Sequence, residues 1–275
     1  MLLLRPMTPE SILRWYLDAG VDETIGEMAN NRLAAPSVAT AAPVPRSAPA
    51  VASQPAPSRA TAPPPSPVPS QAGATAAHLA MGCRSLDELR AAIETYDGCA
   101  LRRTCQRTVF ADGNPAARVM LVGEAPGADE DRVGLPFVGA SGRLLDRMLA
   151  SIGLDRQSAY ITNVVPWRPP GNRKPEPTEI ELCLPFVERH IELIDPAVLV
   201  LLGGAAAAAL LGRTEGISKL RGRWMDYASP GLARPVPALA TFHPAYLLRT
   251  PLHKREAWRD LVAVRKRLDT LANQL

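Results

Sequence analysis

Three polar residues lie at the ends of apolar runs in this sequence, and each is of a type that can do chemistry: Glu124, Asn163 and His243. A carboxylate can position water or stabilise a developing positive charge, and a neutral imidazole can donate a hydrogen bond to a departing anion. An asparagine amide offers a donor beside an acceptor, which can match a paired acceptor and donor on the edge of a planar base. A turn-forming role is the alternative for Asn163.

Four apolar runs, each long enough for a buried strand, end at or beside these three residues and one Gly-Gly pair. They are Ala117–Val122, Ala159–Val164, Val198–Leu202 and Ala238–Phe242. Helical patterns separate the runs, so the alternation predicts an α/β fold with a parallel sheet covered on both faces. Ligands bind outside the carboxyl ends of such strands, and we therefore expect the three polar side chains to share one cleft.

Two loops beside this predicted cleft carry further candidates. The loop Gly123–Asp131 reads GEAPGADED and lacks both the lysine of a Walker A loop and the GxGxxG spacing of a dinucleotide site. Its acids suit water positioning or charge stabilisation, although Asp129 is better explained as a solvated loop acid. Phe137 lies in a glycine-bounded loop, where it could stack on a planar base or pack the loop onto the following helix. Both interpretations of Phe137 are open from the residue alone.

Composition divides the chain into three segments. Residues 1–33 form a predicted N-terminal helical segment, because Thr8-Pro9-Glu10 is typical of a helix start. Residues 34–76 are rich in Pro, Ala and Ser and predict a disordered linker, since they offer too little large apolar surface to offset chain entropy. Residues 77–275 form the predicted catalytic domain.

Charge and cysteine content limit the class of protein. The net charge of +4 and the pI near 9.0 mildly favour a polyanionic partner. The sequence contains no run of about 18 apolar residues and no signal-peptide pattern, and its four cysteines are too few for a disulfide scaffold. We expect a cytoplasmic monomer without a membrane partner.

The motifs together resemble the uracil-DNA glycosylase superfamily, specifically its family 4, the branch that usually carries an iron–sulfur cluster. Between about Leu86 and Leu261 the sequence has GEAPGADED, GLPFVGASGRLLD, ITNVVPWRPPGNR, ISKLRGRW and HPAYLLR in the family's order. The resemblance implies a three-layer α/β/α sandwich around a four-stranded parallel sheet. It also implies a monofunctional enzyme that flips uracil out of DNA and hydrolyses its N-glycosidic bond, which initiates base-excision repair.

The same resemblance implies roles for individual residues. Glu124, Glu130 and His243 match the catalytic positions, while Gly123, Phe137 and Asn163 match those that bind the flipped base. Basic residues near the strand ends suit the phosphate backbone, and the loop from Pro244 to Arg249 matches the segment that wedges into the duplex. The predicted DNA contacts are Arg168, Arg173, Arg221, Arg223, Tyr246, Leu247, Leu248 and Arg249. No lysine belongs to the motifs that carry the predicted catalytic and base-binding residues, so we expect an abasic product in an uncut strand.

The sequence departs from the family at the positions of the cluster ligands. Tyr96 and Trp167 occupy two of the four cysteine positions, and only Cys99 and Cys183 remain. Since such clusters normally need four thiolates, we expect no cofactor and an apolar plug formed by these four side chains. A retained [4Fe–4S] cluster would have to recruit Cys83 and Cys105 as its other ligands.

Three other functions are compatible with the sequence. One is a glycosylase of broader specificity that also removes deaminated purines, because the altered ligand region adjoins the RPPGNR loop. Another is a protein that binds damaged or abasic DNA without catalysis. The third is recruitment of a repair or replication protein by the N-terminal helical segment, in addition to the enzyme activity.

Overall fold

The computed structural model of this protein describes residues 71–273. The predicted N-terminal helical segment, residues 1–33, lies outside the described residues, and so does the predicted linker as far as residue 70. The partner interaction predicted for that segment therefore stays a prediction. Among the helices of residues 71–273, none combines the length and the apolar character needed to cross a membrane.

A six-stranded mixed sheet lies at the centre of the described chain. Its strands are Asp112–Gly113 (β1), Val119–Gly123 (β2), Ala159–Asn163 (β3), Val198–Leu202 (β4), Trp224–Tyr227 (β5) and Val236–Thr241 (β6). The spatial order is β1-β3-β2-β4-β6-β5. Strands β3, β2, β4 and β6 run parallel, and the edge strands β1 and β5 pair antiparallel with their neighbours.

The predicted α/β class is confirmed, but the predicted four-stranded parallel sheet is wrong: the sheet has six strands and is mixed. The four apolar runs correspond to the four central strands. The edge strands escaped prediction because β1 has only two residues and β5, with the sequence WMDY, is only partly buried. Neither has the continuous apolar run that marks a strand buried on both faces.

Helices connect these strands. They are Gln71–Gly82 (α1), Leu86–Thr95 (α2), Leu101–Thr104 (α3), Ala128–Val133 (α4), Ala140–Ala150 (α5), Pro177–Ile194 (α6), Gly204–Leu211 (α7), Ile217–Leu220 (α8), Pro244–Arg249 (α9) and Lys254–Ala272 (α10). Short 3₁₀ helices lie at Pro170–Asn172 and Pro251–His253. Ser85 caps α2, with its Oγ accepting the Glu88 N–H at 3.2 Å.

The two faces of the sheet bury separate apolar clusters. On β2, Met120 and Val122 pack with residues of α6, whereas Val119 and Leu121 pack with residues of α5 and α10. This alternation follows from the period of two along a strand. Because both faces are covered, the polar residues that follow the parallel strands are directed to the end of the sheet.

Helix α1 corrects the predicted domain boundary, because residues 71–76 of the predicted linker are helical. Ala76 and Ala80 are buried, and the Tyr96 hydroxyl donates to the Ala72 carbonyl at 3.1 Å. Small alanine side chains let this helix lie close to α6. A composition rich in alanine lacks large apolar side chains, but it has high helix propensity and can be buried where the neighbouring surface is complementary.

Candidate active site

The carboxyl ends of the four parallel strands open into a cleft of about 910 Å³. Glu124 follows β2, Asn163 ends β3, Gly203 follows β4 and His243 follows β6, and all four line this cleft. Phe137, from the loop before α5, lines it as well. The structure therefore brings together the three strand-end groups that the sequence singles out.

The floor of the cleft is too crowded for a side chain at Gly123. A Cβ atom added there would lie 2.4 Å from Asn163 Oδ1 and 2.6 Å from Phe137 Cζ. The Phe137 and His243 ring centroids are 5.6 Å apart. The Phe137 ring, the Asn163 amide and the His243 imidazole thus surround one small space, and Gly123 permits their close approach because it has no side chain.

The Asn163 side chain is 5% exposed, and its Oδ1 is buried without a hydrogen-bond partner in the described part of the chain. A buried acceptor without a partner is costly, and in native proteins it often marks a site that a ligand completes. The amide therefore presents an unsatisfied acceptor at the floor of the cleft.

His243 is held in one tautomer. Its Nδ1 accepts the Ala245 backbone N–H at 3.1 Å, which places the ring proton on Nε2. Burial, together with the positive charge of Arg249, lowers the His243 pKa to about 4, against an opposing effect of Glu130. The side chain is consequently a neutral hydrogen-bond donor at neutral pH.

Two carboxylates in this cleft differ in their surroundings. The half-buried Glu124 side chain makes no hydrogen bond with residues 71–273; burial raises its pKa, and Lys174 partly offsets this effect. Glu130 instead accepts three backbone N–H groups, from Gly127 at 3.1 Å and from Val138 and Gly139 at 2.9 Å each. The Glu130 carboxylate thus has its hydrogen bonds within the loop, whereas that of Glu124 is free to act on a ligand.

The other acids of GEAPGADED serve the local structure. Asp129 is exposed and pairs with Arg132 at 3.2 Å. Asp131 is buried and accepts the backbone N–H groups of Gln106 and Arg107 at 2.8 and 3.2 Å.

Three of the predicted DNA-binding arginines are engaged within the protein. Arg173 lines the cleft but makes two hydrogen bonds to Glu179, at 2.6 and 2.8 Å. The Arg168 guanidinium lies 3.8 Å from Asp131, and Arg221 makes a forked ion pair with buried Asp260. These pairings reduce the charge that each arginine can offer to a phosphate.

The remaining predicted DNA contacts divide into exposed and buried residues. Arg249 and Tyr246 line the cleft, and Arg223 is exposed on the turn before β5. Leu248 is 43% exposed, whereas Leu247 is 1% exposed and packs in an apolar cluster with Phe242 and other side chains. The prediction that Leu247 contacts DNA is therefore wrong for this structure, because α9 directs that side chain into the core.

Sequence reasoning missed or undervalued several residues around the cleft. Lys174 lines the cleft although it lies outside the motifs, directly after RPPGNR. Leu252 is 90% exposed in the 3₁₀ helix after α9, where His253 stacks on cleft-lining Tyr246. Arg156 donates to the carbonyl oxygen of Phe137. An isolated arginine or leucine in a loop carries no sequence pattern that would identify such contacts.

The four side chains at the family's cluster-ligand positions do come together. Tyr96 and Trp167 stack with ring centroids 6.3 Å apart, and the thiols of Cys99 and Cys183 hydrogen bond to each other. All four side chains are buried. The pKa of Cys99 is lowered to about 7, chiefly by the hydrogen bond from Cys183.

A four-thiolate cluster does not fit this arrangement. Cys83 and Cys105 donate to their own local backbone, to Leu79 O at 3.2 Å and to Arg102 O at 3.3 Å. Across residues 71–273, no three His, Cys, Asp or Glu side chains are grouped so that they could hold a metal ion. Aromatic rings fill the space where two further thiolates would be needed.

Comparison with known proteins places this cleft in a family context. Residues 110–262 match the Uracil DNA glycosylase superfamily. The chain is 42% identical over 180 residues to a type-4 uracil-DNA glycosylase of Archaeoglobus fulgidus, covering 64% of this chain and 89% of that protein. It is 38% identical over 180 residues to the type-4 enzyme of Pyrobaculum aerophilum, covering 64% and 91% of the two chains. The type-4 enzyme of Thermotoga maritima is 42% identical over 158 residues, or 57% of this chain and 80% of that one.

Proposed function

This chain belongs to the uracil-DNA glycosylase superfamily and is similar to its type-4 enzymes, and we propose how its cleft residues carry out uracil excision. The enzyme removes uracil from DNA and so acts in DNA repair. The observation that best supports our assignment of roles is the buried, unsatisfied Asn163 Oδ1 beside the Phe137 ring and the Nε2–H of His243. Asn163 matches the edge of one flipped base, Phe137 its face, and His243 the carbonyl oxygen that gains negative charge as the base leaves.

Binding of the flipped base uses three features of the cleft floor. Asn163 Oδ1 accepts the N3–H of uracil, and its amide nitrogen donates to the neighbouring carbonyl. The Phe137 ring stacks on the base, and Gly123 leaves room for both contacts. Extrusion of the nucleotide costs a few kcal/mol, and less for a U·G mismatch than for U·A, so deaminated cytosine is the favoured substrate.

Cleavage of the N-glycosidic bond leaves positive charge on the sugar and negative charge on the base. We assign stabilisation of the uracil anion to the Nε2–H of neutral His243. We assign to Glu124 the stabilisation of the positive charge on the sugar and the positioning of the attacking water, since its carboxylate has no internal partner among the described residues. In this scheme Glu130 supports the loop and takes no part in the chemistry.

Replacement of Glu124 by glutamine is expected to slow single-turnover excision by roughly 100-fold, because the neutral amide can neither orient water as strongly nor balance the cationic sugar. Ionised Glu124 is the active form. Because the pKa of Glu124 is raised, the wild-type rate should start to fall, as the pH is lowered, at a pH above the ordinary carboxyl range. In Glu124→Gln, the rate measured from pH 4 to 8 should no longer show this acid limb. A second fall near pH 4, caused by protonation of His243, should remain. An unchanged limb in Glu124→Gln would assign the titration to another group.

Product analysis distinguishes the alternative functions. Wild-type protein incubated with duplexes containing uracil, hypoxanthine or xanthine should produce an alkali-labile abasic site only with uracil. The strand should be intact before alkali, as expected of a monofunctional enzyme despite the presence of Lys174. Equal rates on the three bases would establish broader specificity, and a retarded complex without any abasic product would establish a non-catalytic binder.

DNA contact is assigned to the rim of the cleft, which is formed by Tyr246 and Arg249 of its lining with the exposed Leu248 of the same helix, and to exposed Arg223. Positive charge there suits the phosphate backbone, and an exposed leucine at the end of α9 can fill the gap left by a flipped nucleotide. Arg168, Arg173 and Arg221 serve first to hold the loops that shape the cleft.

Leu247 and Leu248 provide a matched pair for testing this rim. Leu247→Ala should lower the free energy of unfolding by about 2–5 kcal/mol through loss of core packing. Leu248→Ala should change stability by less than about 0.5 kcal/mol but slow excision more on duplex than on single-stranded DNA, because only the duplex has a gap to fill. Denaturant unfolding and single-turnover rates would show this. Equal slowing of Leu248→Ala on both substrates would contradict the wedge assignment.

We propose that this enzyme works without an iron–sulfur cluster, since Tyr96 and Trp167 stack where two ligands would be required. Protein purified anaerobically is expected to show no absorbance near ~400 nm and well under one iron per chain. Visible spectroscopy and iron analysis of the same sample test whether a cluster is present. About four irons per chain with the corresponding absorbance would contradict the proposal.

A further inference from the structure

Phe137 adopts an unusual backbone conformation. Its φ angle is 55°, in the left-handed region, and large aromatic residues rarely occupy this region. This conformation orients the ring into the cleft, 5.6 Å from the His243 ring. Conformations of this kind persist only where the surroundings hold them.

The peptide unit between Phe137 and Val138 is held from both sides. Its N–H, on Val138, donates to Glu130 Oε1 at 2.9 Å, and its carbonyl, on Phe137, accepts from Arg156 Nη2. The next N–H, on Gly139, donates to the same Glu130 oxygen at 2.9 Å. Carboxylate and guanidinium thus fix the orientation of one peptide plane, using charge-assisted hydrogen bonds.

Arg156 is itself anchored by two other elements. Its Nη1 bonds to Asp112 of β1 at 2.5 Å, and its Nε bonds to Asp146 of α5 at 2.8 Å. The same Nη1 lies 3.2 Å from the carbonyl oxygen of Pro136. One guanidinium therefore connects the sheet edge, a helix and the loop, which restricts its position more than any single pair would.

Helix α5 closes the third side of this arrangement. A Cβ atom added to Gly142 would lie 1.6 Å from the Phe137 carbonyl oxygen, so the peptide is pressed against the backbone of the first helical turn. Rotation of the peptide away from its observed plane would break the bonds to Glu130 and Arg156 and displace the ring. The position of the Phe137 ring therefore depends on Glu130, Arg156 and the first turn of α5 together.

We propose that Glu130 and Arg156 are positioning residues, which act on excision by holding the Phe137–Val138 peptide so that the ring is ready to stack on the flipped base. This inference rests on the proposed stacking role of Phe137. It gives Glu130 a function that differs from the acid or base role predicted from the sequence, and it gives Arg156 a function that no sequence motif indicates.

A double-mutant cycle tests the proposal in the full chain, at a temperature where melting curves show every variant folded. Arg156→Gln should slow single-turnover excision by about tenfold when Phe137 is present. In a Phe137→Ala background the same change should cost less than about twofold, because the ring that it positions is gone. Equal costs in the two backgrounds would overturn the proposal.

Glu130→Gln provides a second, milder variant, because an amide oxygen can still accept from Val138 and Gly139. Its effect should likewise disappear in the Phe137→Ala background. The limb near pH 4 from His243 should move to lower pH, because the Glu130 charge that raises the His243 pKa is lost, whereas the acid limb assigned to Glu124 should be kept. A shift of that limb would show that Glu130 takes part in the chemistry and would overturn the positioning role. If Arg156→Gln does not fold, this second cycle decides the question. Wild-type activity in Phe137→Ala alone would instead refute the stacking assignment of the proposed function.

Discussion

Replacement of His243 by alanine is expected to reduce single-turnover excision of uracil by roughly 1,000-fold, at the upper end for loss of one preorganised donor. The size of the effect follows from burial. The imidazole sits at the cleft floor with its Nδ1 satisfied by the Ala245 N–H, so Nε2–H is aligned before the base departs. A donor of this kind reorganises little during the reaction and acts in a medium of low polarity, where its interaction with an anion is strong.

The charge state of His243 makes a second, independent measurement possible. Because its pKa is lowered to about 4, the ring stays neutral as pH changes from 6 to 8, and the wild-type rate should be nearly constant across that range. An imidazolium mechanism would instead lose activity as pH rises through the ordinary histidine pKa. His243→Gln keeps a donor of similar reach and should recover part of the lost rate. If His243→Ala slows excision less than about threefold, the uracil anion must be stabilised by another group.

The positions of Glu124, Asn163 and His243 could be predicted because parallel strands impose a simple rule. Strands buried on both faces appear as continuous apolar runs, and their carboxyl ends lie at one edge of the sheet. A polar residue directly after such a run is therefore placed at the ligand-binding edge by topology alone. The rule does not depend on the direction of any side chain, which explains its success here.

The roles of Glu130 and Leu247 could not be predicted, because they depend on where a side chain points. Glu124 and Glu130 are both acids of one loop, but only the fold shows that Glu130 faces three backbone N–H groups. Leu247 and Leu248 are adjacent and identical in type, and the rotation of α9 decides which of them is buried. Neither distinction leaves a trace in composition or spacing.

Weak local signals explain the other differences. Edge strand β5 is only partly buried and lacks an apolar run, and α1 buries alanines in a stretch whose composition favours a linker. The partners that stabilise α1, which are α6 and Tyr96, lie far away in the sequence, and β5 is held by backbone pairing with β6, which leaves no apolar pattern. Local pattern analysis has no access to such partners, so it predicts the centre of this fold better than its edges.

Replacement of Asn163 by alanine should have the largest effect of all, a loss of roughly 1,000-fold or more in uracil excision. The amide forms the only base-edge contact that we assign, and without it uracil N3–H would be buried unpaired in the bound state. Free uracil should also cease to inhibit the variant, because product and flipped base use the same contacts. Single-turnover kinetics with and without added uracil measure both effects.

Thermal stability separates this loss of function from a loss of structure. In the ligand-free protein, Asn163 Oδ1 is a buried acceptor without a partner among the described residues, so removing it relieves an unfavourable burial. The melting temperature of Asn163→Ala should consequently equal or exceed that of the wild type while activity is lost. Asn114→Ala is a suitable contrast, since the exposed Asn114 side chain accepts from Ala116 N–H in its own turn and donates to Gln157 O in the loop before β3, and the variant should lose stability with full activity. A lower melting temperature for Asn163→Ala would show that the amide supports the fold, and the unpaired oxygen could then no longer be assigned to the substrate.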